Sequence, residues 1–149
     1  MVRTKRHTRR SAFTLLEVML VIGLLALLAV SVIPALSKKG EKAKIDLTKA
    51  AVGPNGTISQ EIRAFQFDTG RWPETLKDLV ERPSDPDIAE KWNGPYIENP
   101  EHMKDAWGQE FNFQAGDSAR HNENKFDLWS VGPDGRDGTD DDITNWPRD

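Results

Sequence analysis

The sequence predicts an α+β protein in which a long N-terminal helix packs on a small C-terminal domain with a short antiparallel sheet. Two observations indicate this class. An apolar run over residues 13–36 continues directly into a helix-forming stretch over residues 37–52. Further on, residues 110–115 and 126–131 alternate between apolar and polar side chains, as half-buried strands do. A chain of 149 residues is long enough for one domain and not for two.

The composition excludes several kinds of site. The chain has no cysteine, which excludes disulfide bonds, thiolate metal sites and a cysteine nucleophile. Its three histidines, His7, His102 and His121, lie too far apart to indicate a histidine-rich metal centre. The net charge is −4, but residues 1–12 contain five basic residues and no acid, so the rest of the chain is strongly acidic. We therefore expect no nucleic-acid partner.

The segment from Phe13 to Leu36 is almost entirely apolar and follows the basic residues directly. Its only polar side chains are those of Thr14, Glu17 and Ser31. As a helix it would be roughly 36 Å long, enough to cross a hydrocarbon core of ~30 Å. Because basic flanks stay on the cytoplasmic side, the pattern predicts a single membrane pass with the C-terminal region on the other side.

This segment has two simple interpretations. A cleaved secretory signal would have a shorter apolar run, followed by a cleavage site with small residues. A plain membrane anchor would leave Glu17 unexplained, because a carboxylate inside an apolar segment is costly and is expected to have a partner.

The string Ala12-Phe13-Thr14-Leu15-Leu16-Glu17 resembles the processing signal of type IV pilins and pseudopilins. The resemblance implies that prepilin peptidase cuts between Ala12 and Phe13 and that the new Phe13 amine is methylated. Ala12 stands where the family usually has glycine. The new amine would be cationic at neutral pH, about one helical turn from Glu17. The resemblance also implies that Glu17 pairs with the Phe13 amine of an adjacent subunit during filament assembly.

Glycine and proline residues divide the chain after the first helix. The Gly-Pro-Asn-Gly string at residues 53–56 is expected to interrupt that helix. A second helix is expected to follow, capped by Thr57 or Ser59. Its core face is marked by apolar residues at helical spacing: Ile58, Ile62 and Phe65. Residues 74–80 predict a short helix, and the composition of residues 83–101 predicts a loop.

Three strings in the C-terminal region resemble the G-type pseudopilins of type II secretion systems. They are Asp68-Thr69-Gly70-Arg71-Trp72-Pro73, Trp92-Asn93-Gly94-Pro95-Tyr96-Ile97 and Asp105-Ala106-Trp107-Gly108. Their aromatic residues are expected to pack in the core rather than to form a ligand cage. The resemblance implies a pilin-like fold with a cleaved leader over residues 1–12, a transmembrane and assembly helix over 13–36, and a periplasmic head over 37–149.

The same resemblance implies a structural subunit of an inner-membrane filament that drives protein secretion across the outer membrane. The implied partners are further copies of the chain, minor pseudopilins, the inner-membrane secretion platform and prepilin peptidase. Two alternatives are a type IV pilus or competence pilin, and a membrane-tethered calcium-binding module that does not polymerise. The sequence has no Ser-His-Asp order, P-loop or Rossmann fingerprint, and we expect no enzymatic activity.

A dense acidic segment lies near the C-terminus, with five aspartates among residues 134–142. Such a segment either stays solvated or closes on a cation. Ca²⁺ takes roughly six to eight oxygen ligands, but the spacing here is not that of an EF-hand. The pattern alone therefore leaves both a calcium site and a solvated acidic turn open.

The resemblance to G-type pseudopilins favours calcium. The matching residues are Ser130, Gly132, Asp134, Gly135, Asp141, Asp142 and Ile143. The implied side-chain ligands are Asp134, Asp141 and Asp142, and the implied backbone carbonyl ligands are those of Val131, Arg136 and Thr139. Asp137 and Asp140 stay open as further ligands, whereas Asp127 is expected to be structural. Ile143 and Trp146 are expected to anchor the segment to the body of the domain.

Overall fold

The computed structural model describes residues 13–123 and 125–147, except for the side chains of residues 31–36. The helices are α1 (Leu15–Val52), α2 (Thr57–Thr69) and α3 (Pro86–Lys91), and the strands are β1 (Asn112–Ala115), β2 (Phe126–Ser130) and β3 (Ile143–Thr144). Short 3₁₀ turns cover Leu76–Leu79, Pro100–Met103 and Gly116–Ser118. The chain divides into two compact units, Met1–Gly40 and Glu41–Asp149.

The first helix confirms the predicted long N-terminal helix, since α1 runs without a break past Pro34. Thr14 caps its start, because the Thr14 Oγ1 atom accepts a hydrogen bond from the backbone N–H of Glu17 at 3.2 Å. The large apolar side chains from Phe13 to Val30 are 45–81% exposed. No helix in the described ranges combines the length and apolarity needed to cross a membrane. The predicted leader and its residue Ala12 lie outside the described residues.

The second unit begins with the C-terminal part of α1, Glu41–Val52, which we call the outer stem. A tight turn follows, in which the Gly56 N–H donates to the Gly53 carbonyl at 2.7 Å. A side chain at Gly56 would collide with the backbone carbonyl of Ala51, so only glycine fits there. The predicted breaker at residues 53–56 thus closes one helix and starts the next within four residues.

The predicted cap of α2 is wrong. Gly56 occupies the cap position and makes no side-chain hydrogen bond, while Thr57 is already the first helical residue. The buried Ser59 hydroxyl instead donates to the Val52 carbonyl at 2.9 Å. That carbonyl belongs to the last turn of α1, where no intrahelical N–H is available. Ser59 therefore satisfies the end of α1 rather than the start of α2.

The core forms on one face of α2. Ile58, Ile62 and Phe65 are buried there, as their spacing predicts. The Phe65 ring meets the Tyr96 ring edge-on at a centroid distance of 5.6 Å, which confirms the packing role of that aromatic residue. The Tyr96 hydroxyl donates to Asp68 Oδ2 at 2.9 Å, and burial raises the pKa of Tyr96.

The predicted loop over residues 83–101 is wrong in two places, because α3 and the turn at Pro100–Met103 lie within or across it. The Asp85 side chain caps α3 by accepting from the backbone N–H groups of Asp87 and Ile88. The Asn99 side chain caps the second turn in the same way. A proline follows each cap, and its fixed φ favours the first helical position. Residues that indicate loops by composition thus start helical turns here.

The sheet confirms the predicted short antiparallel sheet and adds a third strand. The strand order is β1-β2-β3, and both pairs are antiparallel. Phe113 on β1 pairs with Leu128 on β2, and Ser130 on β2 pairs with Ile143 on β3. The two-residue strand β3 is too short to show an alternating pattern in the sequence.

The substitution Phe65→Ala tests the core. Phe65 is 0% exposed, so we expect the free energy of unfolding to fall by about 3–5 kcal/mol. Phe67→Ala is the matched control, because Phe67 lies on the same helix and is 87% exposed. Denaturant unfolding followed by circular dichroism measures both. Equal losses for the two variants would contradict the described core.

Candidate functional site

The acidic loop, defined as residues 131–142, joins two neighbouring strands of the sheet. β2 ends at Ser130 and β3 begins at Ile143, and these two residues pair across the sheet at the base of the loop. Both residues are buried, at 0% and 5% exposure. The loop is therefore held at its base by the core, and the prediction that Ile143 anchors it is confirmed.

Three glycines shape the acidic loop by adopting left-handed backbone conformations. The φ angles are +66° at Gly132, +68° at Gly135 and +84° at Gly138. A Cβ atom at Gly132 would also collide with the backbone carbonyl of Asp141. The first and last parts of the loop thus touch at a point where no side chain fits.

The three predicted carboxylate ligands accept hydrogen bonds from within the loop itself. Asp134 Oδ1 accepts from the Arg136 N–H at 2.8 Å, and Asp141 Oδ2 accepts from the Asp134 N–H at 3.0 Å. Asp142 Oδ2 accepts from the Gly138 N–H at 2.9 Å. Backbone N–H groups of the acidic loop therefore donate to carboxylates of the same loop.

Thr139 brings two of these carboxylates together. Its hydroxyl lies 2.5 Å from Asp141 Oδ1 and 3.4 Å from Asp134 Oδ1. It also lies 3.2 Å from the Arg136 carbonyl oxygen, one of the predicted backbone ligands. From the sequence, only the carbonyl of Thr139 was predicted as a ligand, and its side chain was missed. A hydroxyl residue placed between acids of one glycine-rich loop was the available signal.

The arrangement fits calcium in donor chemistry, because carboxylate, carbonyl and hydroxyl oxygens are the ligands that Ca²⁺ prefers. The described residues contain no group of three or more His, Asp or Glu side chains close enough to hold a metal ion. Asp134 and Asp141 converge on Thr139, whereas Asp142 turns towards Gly138. The calcium site and its ligands stay a prediction.

The other aspartates of the region have different surroundings. Asp137 Oδ1 accepts from the indole N–H of Trp129 at 2.7 Å, so this carboxylate is engaged with β2. Asp140 is exposed and lines a cleft beside the loop. Asp127 is buried and accepts from the backbone N–H groups of residues 120–122 at 2.7–2.9 Å. Its structural role agrees with the expectation.

The cleft beside the acidic loop has a volume of about 480 Å³. Trp146 stacks on His121 at a centroid distance of 4.2 Å, with an angle of 4° between the ring planes. The same indole meets Trp129 edge-on at 5.8 Å. Trp146 therefore anchors the chain after the loop, as expected, although the sequence did not indicate His121 as its partner.

Of the predicted processing and assembly residues, Phe13 and Glu17 lie at the start of α1. Phe13 precedes the helix and is 81% exposed, and Glu17 lies in the first helical turn. An acidic residue in the first turn stabilises a helix, because its negative charge lies near the positive end of the helix dipole. Thr14 and Glu17 also have the spacing of a capping box, which is a signal in the sequence for a helix start at this point.

Two family models match the chain and together cover most of its length. The model described as type II secretion system protein G matches residues 35–146. The model described as the prokaryotic N-terminal methylation motif matches residues 7–33. The second match includes the predicted cleavage position.

The chain is also similar to curated proteins over nearly its whole length. The type II secretion system core protein G of Dickeya chrysanthemi is 40% identical over 144 residues, which cover 93% of this chain and 87% of that protein. The protein of the same name from Escherichia coli K12 is 37% identical, with 93% of this chain and 92% of that protein covered.

One solved structure resembles the fold described above. It is the crystal structure of the major pseudopilin from the type 2 secretion system of enterohaemorrhagic Escherichia coli. The two chains superpose with a TM-score of 0.59 and 25% sequence identity. The match covers 77% of this chain and 92% of the other.

The substitution Gly132→Ala tests the closure of the acidic loop. The left-handed backbone alone is expected to cost about 1–3 kcal/mol in a residue with a side chain. The collision with the Asp141 carbonyl adds to this cost. Gly116→Ala is the control, since Gly116 has a φ of +59° and open space around it. We expect Gly132→Ala to unfold at a clearly lower denaturant concentration than Gly116→Ala, and equal midpoints would contradict the close contact.

Proposed function

The chain belongs to the type II secretion system protein G family and is a subunit of the pseudopilus, and we propose how its parts serve that filament. The observation that carries the assignment is the identity of 37–40% to curated core proteins G over 93% of the chain. The likeness to a solved major pseudopilin confirms the predicted pseudopilin-like fold. Family membership also decides against the type IV pilus alternative.

We propose that the chain acts as a structural subunit rather than as an enzyme. A pseudopilin assembles with other components of its secretion system, and the methylation motif implies processing by prepilin peptidase. Identical subunits that join through a head-to-tail interface that does not close form a helical filament. In this proposal the filament drives protein secretion across the outer membrane, with minor pseudopilins and the inner-membrane platform as further partners.

The apolar segment 13–36 is proposed to hold the subunit in the inner membrane before assembly. The sequence supports this, because Glu17 is the one charged residue within the segment and the basic leader directly precedes the segment. The periplasmic side would then receive the second unit, Glu41–Asp149. Cleavage after Ala12 would leave the Phe13 amine beside the first helical turn, which contains Glu17.

Glu17 is proposed to pair with the Phe13 amine of a neighbouring subunit. An ionised carboxylate in an apolar surround is costly unless a cation partners it. The helix start itself is already capped by the Thr14 hydroxyl, which accepts from the backbone N–H of Glu17. The carboxylate of Glu17 is therefore not required for that cap.

The substitution Glu17→Gln tests the proposed pairing of the carboxylate separately from the helix cap. It removes the charge and keeps the length and helix propensity of the side chain. We expect membrane insertion to persist in fractionation and filaments to be absent by electron microscopy of cells that overproduce the subunit.

Thr14→Ala is the control, because it removes the cap at a cost of about 1 kcal/mol and leaves the carboxylate in place. We expect this variant to form filaments. Filaments of Glu17→Gln at wild-type level would contradict the pairing role.

Calcium is proposed to order the acidic loop. The convergence of Asp134 and Asp141 on the Thr139 hydroxyl supports this, because it brings carboxylate and hydroxyl oxygens, the donors that Ca²⁺ prefers, to one point of the loop. A cation that binds only the folded state stabilises it by about 2.7 kcal/mol when its concentration is 100 times its Kd. The proposed ligands are those that the sequence indicates: Asp134, Asp141 and Asp142, with the carbonyls of Val131, Arg136 and Thr139.

Thermal unfolding of the full chain in detergent, with calcium or with a chelator, tests this proposal. We expect calcium to raise the Tm of the wild-type chain, and Asp134→Ala and Asp142→Ala to abolish the increase. Asp117→Ala is the control, because Asp117 is exposed outside the acidic loop and should leave the increase intact. A calcium-dependent increase that survives in Asp134→Ala would exclude Asp134 as a ligand.

A further inference from the structure

The Asp105 carboxylate connects the base of the acidic loop to a distant turn. Its Oδ2 atom accepts a hydrogen bond from the Ser130 hydroxyl at 2.6 Å, across 25 positions of sequence. The same Ser130 oxygen accepts from the Gly132 N–H at 3.1 Å. Asp105 and Ser130 are 7% and 0% exposed, so water does not compete for this link. A charged acceptor makes such a bond shorter and stronger than a neutral one.

The other oxygen of Asp105 organises the turn that contains it. Asp105 Oδ1 accepts from the backbone N–H groups of Trp107 and Gln109, both at 2.9 Å. The backbone closes the same turn, since the Asp105 N–H donates to the Gln109 carbonyl at 2.7 Å. We call residues 105–109 the Asp105 turn. One carboxylate therefore holds both this turn and the start of the acidic loop.

The Asp105 turn also contacts the outer stem. The Ala106 N–H donates to the buried Thr48 hydroxyl at 3.3 Å. The Trp107 indole N–H donates to Glu41 Oε1 at 2.9 Å, and Lys44 Nζ lies 6.0 Å from the centre of the same ring. These contacts span almost two turns of the outer stem, so the position of the Asp105 turn and that of the stem are linked.

The acidic loop meets the Asp105 turn at a second point. A Cβ atom at Gly135 would lie 2.9 Å from the side-chain nitrogen of Gln109, so the loop backbone packs directly on that side chain. Gly132, which donates to Ser130, is itself in contact with the Asp141 carbonyl. Movement of the proposed ligand Asp141 would therefore move Gly132 and, through Ser130, the Asp105 carboxylate.

From these contacts we propose that Asp105 couples calcium binding in the acidic loop to the contacts between the Asp105 turn and the outer stem. The proposal rests on the calcium function proposed above. Asp105 acts as a positioning residue, because it holds Gly132 through Ser130 and touches no proposed ligand. Coupling of two sites is reciprocal, so a tighter turn favours calcium and calcium favours a tighter turn.

Hydrogen exchange of the full chain in detergent, with calcium or with a chelator, tests the coupling, and titration calorimetry measures calcium affinity on the same samples. Ser130→Ala removes the hydroxyl between Asp105 and Gly132 and leaves both contacts of Asp105 Oδ1. Asp105→Asn is a second variant, since its amide nitrogen cannot accept from Ser130. Asp127→Asn is the matched control, because Asp127 is a buried carboxylate that holds residues 120–122 instead.

We expect calcium to slow exchange across residues 105–109 of the wild-type chain by about fivefold or more, a typical coupling. Ser130→Ala and Asp105→Asn should lose this effect and bind calcium more weakly by a similar factor. Asp127→Asn should keep both, even where its overall stability falls.

Unchanged exchange at residues 105–109 in a wild-type chain that binds calcium would overturn the coupling and leave the calcium site standing. A calcium effect that persists in both Ser130→Ala and Asp105→Asn would do the same. A wild-type chain that binds no calcium would overturn both proposals.

Discussion

The packing of the second unit, Glu41–Asp149, depends on the burial of the last turns of α1. Thr48 and Val52 are 2% and 0% exposed, although the preceding stem residues are mostly exposed. Each makes one polar contact with a different part of the head: the Thr48 hydroxyl accepts from Ala106, and the Val52 carbonyl accepts from Ser59. Because buried polar groups without partners are costly, these bonds specify where α2 and the Asp105 turn meet the outer stem.

The acidic loop shows how a protein places like charges close together. Its base is held by paired strands, its bends are left-handed glycines, and its carboxylates accept from the loop's own N–H groups. Such a frame brings oxygen atoms together, and the sequence of the loop sets five aspartates against one basic residue, Arg136. A cation that binds only the folded state would therefore stabilise it by an amount that rises with the logarithm of the cation concentration relative to its Kd.

Local patterns predicted the parts of the fold that local physics controls. Helical spacing identified Ile62 and Phe65 as core, and the breaker at residues 53–56 was recognised from glycine and proline alone. The helix α3 was missed because the cap Asp85 and the proline after it have the composition of a loop. The link from Asp105 to Ser130 joins segments 25 positions apart, so no periodicity or spacing could indicate it. Within the candidate site, the acidic residues were predicted from the sequence, whereas the contacts of the Thr139 hydroxyl were identified only in the folded loop.

The role of the chain as a processed filament subunit is tested most directly by mass spectrometry of the native protein purified from membranes. A mature chain that begins at Phe13 and carries a methyl group on its terminal amine is the predicted result. A native chain that still begins at Met1 would contradict processing, and would leave Glu17 without the cationic partner on which the proposed assembly depends.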